Sequence, residues 1–113
     1  MSDDWQTETV SAYYDSLDAK QYGRLSELLH PEFVHDRPDM TLEGKIYFLE
    51  FMQHKRPVME TTHPIETVYS SPTGAVAAQG QLLDTDGNII TGFVDIFSFE
   101  GEQIRAIKTY TDR

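Results

Sequence analysis

The sequence predicts a single α+β domain over residues 1–113, with three N-terminal helices packed on a curved antiparallel sheet. Three observations predict it. Apolar residues recur at three- and four-residue spacing in the first half of the chain, the period becomes two from Val58 onward, and short turn-forming clusters separate the extended runs. Helices segregated from strands place the sheet over the long first helix.

In chain order, Asp3 or Asp4 can cap a helix running to about Lys20, with Val10, Tyr13, Tyr14 and Leu17 as its apolar stripe and Trp5 at its start. Tyr22, Leu25, Leu28 and Leu29 suggest a second short helix that Pro31 prevents from continuing past His30. Glu32 to Asp36 is a short extended piece ended by Arg37-Pro38-Asp39. Gly44 opens a third helix, Lys45 to about His54, closed by Pro57. Its Ile46, Phe48, Leu49, Phe51 and Met52 are too many for one narrow stripe, so it is expected to be largely buried. Runs at about 58–69, 75–83, 89–99 and 104–111 then read as a four-stranded antiparallel meander.

Composition sets limits on function. The 113 residues contain 39% hydrophobic and 12% aromatic side chains, which suits a packed globular chain. The absence of cysteine removes disulfides and thiolate chemistry, so stability must come from packing. A net charge of -10 argues against nucleic acid or an anionic membrane as partner, and fits either a solubilising surface or a high-salt cytosol such as a haloarchaeal one. No apolar run reaches membrane-spanning length, and Met1-Ser2-Asp3-Asp4 lacks the regions of a signal peptide, so a cytoplasmic location is expected.

The run Gly92 to Phe99 carries the main chemical question. Alternation places Phe93, Asp95, Phe97 and Phe99 on one face and Gly92, Val94, Ile96 and Ser98 on the other. Asp95 is thus a carboxyl among phenylalanines: a buried hydrogen-bonded anchor, or a group whose pKa is raised so that it donates a proton. His35 and Asp36 alternate, so at most one of them faces a pocket unless the strand bulges. His35 with Asp36 and Asp39 lacks a helical ligand pair, and no metal or other cofactor is expected.

The order of elements, together with Tyr13-Tyr14-Asp15-Ser16-Leu17-Asp18, Leu28 to Asp36, Glu43-Gly44-Lys45, Phe48-Leu49-Glu50-Phe51 and Phe93 to Phe99 with Gly101 and Ile104, resembles the nuclear transport factor 2-like (cystatin-like) superfamily. That superfamily includes ketosteroid isomerases and SnoaL-type polyketide cyclases. The resemblance implies a cone-shaped fold with a hollow for a small apolar or carbonyl-containing molecule. It further implies proton transfer by Asp36, with Tyr13 (or Tyr14) and a protonated Asp95 donating hydrogen bonds to the developing oxyanion. His35 is an alternative acid-base group. The plainer readings are a turn-capping Asp36 and a Tyr13 that is simply a core aromatic. Arg37 would lower the pKa of Asp36 or bind an acidic substrate group. Tyr14, Arg37, Phe51, Phe93 and Phe97 are candidate ligand-binding residues.

Two functions follow as expectations: an isomerase, cyclase or dehydratase without metal, or a non-catalytic ligand-binding or dimerisation module whose hollow its own bulky residues fill. In either case a homodimer through the outer sheet face is expected, because Val94, Ile96 and Ile107 need cover there.

Overall fold

The computed structural model describes residues 5–55 and 60–113. The caps expected at Asp3 or Asp4, the closing Pro57 and the strand start at Val58 lie outside them. Three helices are followed or interleaved by six strands: α1 (Trp5–Asp18), α2 (Tyr22–Leu28), β1 (Leu29–Asp36), β2 (Thr41–Glu43), α3 (Lys45–Glu50), β3 (Ile65–Ser70), β4 (Val76–Leu83), β5 (Ile89–Glu100) and β6 (Gln103–Thr111). The strands form one sheet in the order β2-β1-β6-β5-β4-β3.

The expected meander is present as β3 to β6, each strand antiparallel to the next. The sheet is wider than predicted because β1 joins β6 in parallel and β2 folds back on β1. β1 begins at Leu29, earlier than the predicted extended piece. Its register against β6 shifts between Leu29 and Val34, which accommodates Pro31, a residue with no N–H to give a ladder.

Register decides which side chains face the helices. Thr109, Asp95 and Ala78 lie directly opposite one another across β6, β5 and β4, and His35, Ile107, Phe97 and Val76 form the next row on the same inner face. Asp36, Lys108, Ile96 and Ala77 form the corresponding row on the outer face. Ile107 was expected on the outer face. It is instead buried on the inner one, because it pairs with Phe97.

Helix α1 lays Val10, Tyr13, Tyr14 and Leu17 against the inner face, where they join Phe33, Phe48, Phe93, Phe97 and Ile104 in one core. The third helix departs from expectation. It buries Phe48, whereas Ile46 and Tyr47 are exposed, and after Glu50 it continues as a π-helical turn, Phe51–Lys55. That wider turn carries Phe51 and Met52 into the core. Gly80 serves a local approach: a Cβ there would lie 2.4 Å from the Pro64 carbonyl oxygen, so its absence lets the segment before β3 press onto β4. Thr62 exchanges two backbone hydrogen bonds with Leu83 in the same place.

Candidate functional site

Between α1 and the inner face of the sheet lies a cavity of about 310 Å³, at the small end of the range for small-molecule sites. Tyr13, Tyr14 and Leu17 of α1, Met52, Leu82, Ile90 and Phe93 give it an apolar wall. His35, Arg37, His63, Thr91, Asp95 and Thr109 bring polar groups to the same space. The bulky core residues therefore do not fill the hollow.

Asp95 is 6% exposed and sits at the centre of a hydrogen-bonded chain. The Tyr14 hydroxyl donates to its Oδ2 at 2.6 Å, and the Thr109 hydroxyl donates to its Oδ1 at 2.5 Å. Thr109 Oγ1 is in turn 2.8 Å from His35 Nε2. With the threonine proton directed at Asp95, its oxygen accepts from His35, so the imidazole carries its proton on Nε2 and Nδ1 has no hydrogen-bond partner among the described residues. Burial pushes the Asp95 carboxyl above the ordinary range, against the lowering effect of its bonds to Thr109 and Tyr14. Burial likewise raises Tyr14, reinforced by the nearby Asp95 charge. His35 is pushed down to about 3, first by burial and then by the Arg37 charge, and is held as neutral imidazole.

Of the two tyrosines left open by sequence, Tyr14 bonds Asp95. Tyr13 reaches the cavity wall but packs edge-on against Phe97 at 5.5 Å. Phe93 lines the cavity, whereas Phe97 and Phe51 belong to the core behind it.

Asp36 requires a correction. It does not face the cavity: it lies on the outer side of the sheet, where its carboxylate accepts from Lys108 Nζ at 2.9 Å and from the Thr41 hydroxyl at 3.2 Å. The Lys108 bond holds its pKa below the ordinary carboxylate value. Because His35 and Asp36 alternate and His35 takes the inner side, no single reacting centre can engage both Asp36 and Asp95. Arg37 turns to Asp39 instead of Asp36, with two hydrogen bonds at 3.1 and 3.0 Å, and its guanidinium lies 5.7 Å from the centre of the Phe51 ring. His35, Asp36 and Asp39 consequently do not converge on one point.

Sequence reasoning missed Thr109 and His63. Asp18, at the end of α1, accepts from the His63 backbone N–H at 2.8 Å and lies 2.6 Å from its Nδ1. The His63 ring packs on Tyr14 and Phe93, each with centres 5.8 Å away. These partners are 45 residues apart in the chain, and no local pattern announces them.

The fold and the partly open cavity, apolar with a few polar groups, define an α+β protein with a hollow of small-molecule size, and sequence comparison gives the family. Residues 10–107 match the SnoaL-like domain, and the chain belongs to that family. No curated protein matches in sequence. Among solved structures, a protein of unknown function with a cystatin-like fold from Methylobium petroleophilum superposes with a TM-score of 0.87 at 15% identity, covering 100% of this chain and 79% of that one. A proposed ketosteroid isomerase from Kribbella flavida gives 0.84 at 14% identity, covering 97% and 79%. A proposed SnoaL-like polyketide cyclase from a Jannaschia species gives 0.76 at 18%, covering 96% and 85%. At such identities the likeness concerns the fold. Among the described residues no helix is long and apolar enough to cross a membrane.

Proposed function

We propose that the protein catalyses proton transfer next to the carbonyl of a small, largely apolar molecule, as an isomerase, cyclase or dehydratase of the SnoaL-like kind. The observation that carries this reading is the buried 2.6 Å bond between Tyr14 and Asp95 on the wall of an otherwise mainly apolar cavity. A protonated Asp95 donates to the tyrosine oxygen, which frees the Tyr14 proton for a substrate oxygen. In a water-poor site such donors stabilise a developing enolate more than they stabilise the ground-state carbonyl. Tyr13 and Phe93 give the molecule apolar contact, and Arg37 stands where an acidic substituent would meet a cation.

The test follows deuterium entering the carbon next to the carbonyl of small cyclic ketones such as β-tetralone, read by NMR in heavy water. The wild type is expected to exceed buffer, with Asp95→Asn and Tyr14→Phe each about 100-fold slower, within the span of losing one oxyanion donor. Exchange at the buffer rate across the ketone panel would contradict the proposal.

A non-catalytic binding module is the second reading. It is favoured by the hydrogen bonds that already join Tyr14, Asp95 and Thr109 to one another and Thr109 to His35, so that Asp95 has both oxygens engaged without a ligand. Ligand binding with no exchange would select it.

Either function suits a cytoplasmic homodimer joined through the outer sheet face, where Val94 and Ile96 are only half-buried and Tyr69 and Tyr110 are exposed. A monomeric mass by light scattering at micromolar concentration would contradict the dimer. The charge of -10 fits a high-salt cytosol, and a thermal midpoint that does not rise with potassium chloride would contradict that setting.

A further inference from the structure

We propose that His63, oriented by Asp18, is the base that removes the substrate proton. This inference rests on the function proposed above and supplies the group that function lacks. Asp36 is on the wrong face of the sheet, and His35, neutral down to about pH 3 and bonded to Thr109, is a poor proton acceptor at neutral pH.

His63 has the geometry of a working imidazole. The Asp18 carboxylate takes the His63 backbone N–H at 2.8 Å and Nδ1 at 2.6 Å, which fixes both the position of the residue and its ring. An Nδ1 proton facing the carboxylate leaves the lone pair on Nε2, and Nε2 has no hydrogen-bond partner among the described residues. The backbone on either side is also pinned: Thr62 pairs with Leu83, and the Pro64 carbonyl accepts from Gln81 N at 3.1 Å across the space left by Gly80. The ring forms part of the cavity wall beside Tyr14 and Phe93.

A carbonyl oxygen held by the Tyr14 hydroxyl has its neighbouring carbon two bonds away, and the His63 ring packs beside that same tyrosine, with ring centres 5.8 Å apart. In the step itself the C–H bond breaks, the proton passes to Nε2 of His63, and the electron pair moves through the carbon framework to the carbonyl oxygen. That oxygen then accepts hydrogen bonds as an enolate. The imidazolium that forms faces the Asp18 carboxylate, and return of the proton to a second carbon completes an isomerisation without any co-reactant. The substrate class is therefore a carbon acid: a flat, apolar ketone with an acidic C–H next to its carbonyl.

The experiment measures the same deuterium exchange alongside binding of β-naphthol, a probe for the donors at Tyr14 and Asp95. His63→Gln is expected to slow exchange about 100-fold or more while leaving β-naphthol affinity within about three-fold, consistent with loss of a general base. Asp18 is a positioning residue, and Asp18→Asn is expected to slow exchange less, by about 10-fold or more. Proton–nitrogen correlation NMR is expected to show the His63 proton on Nδ1 in the wild type and on Nε2 in Asp18→Asn.

Exchange at the wild-type rate in His63→Gln, with Asp95→Asn still slow, overturns the role of His63 and leaves the proposed function standing. No exchange by the wild type overturns both. A wild-type His63 proton on Nε2 overturns the dyad independently of activity or of how well the variants fold.

Discussion

Two aspartates on neighbouring parts of one sheet have opposite physical lives. Asp95 and Asp36 are both strand residues, yet Asp95 faces α1 and is buried, whereas Asp36 faces outward and pairs with Lys108. The first is pushed up by desolvation, and the second is held down by a cation. The face of the pleat thus decides whether folding raises or lowers the pKa of a strand carboxylate.

The largest contrast should appear in packing. Phe97→Ala, which empties a fully buried site on the inner face, is expected to cost about 3–5 kcal/mol in urea unfolding. Ile96→Ala, one residue away on the outer face, is expected to cost about 1 kcal/mol. Equal losses would break the distinction between the faces. A loss at Ile96 that grows with protein concentration would locate a subunit contact there.

Next in size is the polar network. Asp95→Ala leaves the Tyr14 and Thr109 hydroxyls without their acceptor and is expected to cost about 1–3 kcal/mol. Asp95→Asn can accept from Tyr14 and donate to Thr109, so it should keep the fold while losing exchange activity. If Asp95→Asn is as unstable as Asp95→Ala by urea unfolding, the carboxyl is an anchor and not a proton donor.

The pH dependence should carry two opposed slopes. Asp95 has its pKa raised by folding, so its contribution is fully present below the ordinary carboxyl value and is lost as pH rises through the raised one. His35 has its pKa lowered by folding from 6.5 to about 3, so stability falls as pH drops through that window and the unfolded chain takes up the proton. Unfolding midpoints against pH should lose the first slope in Asp95→Asn and the second in His35→Gln. If both slopes persist in both variants, other groups control them.

Much of this contrast was legible in sequence. Alternation through Phe93, Asp95 and Phe97 placed one carboxyl among core aromatics, and the adjacency of His35 and Asp36 required that only one face inward. Which one did so was set by the parallel pairing of β1 with β6, a contact between segments 72 residues apart in the case of Asp36 and Lys108. Tyr13 and Tyr14 both suit a helix stripe, and only the arrival of β5 distinguishes them. The His63–Asp18 pair was illegible for the same reason. Ile46 was read as buried from composition, but a short helix turning into a π-helical segment presents it to solvent.

The smallest effect belongs to the outer pair. Removing the exposed Lys108–Asp36 contact by Lys108→Ala is expected to leave stability close to that of the wild type, and any difference should shrink at high salt. A larger, salt-insensitive loss in urea unfolding would show that the outer face is covered in solution.

The central claim is that the fold holds Asp95 as a proton-bearing group, and an NMR titration of its carboxyl carbon tests it most directly. Asp95 is expected to titrate clearly above the ordinary carboxyl value and to move further when β-naphthol binds, while Asp36 titrates below that value and does not respond. Titration of Asp95 at or below the ordinary value would contradict it.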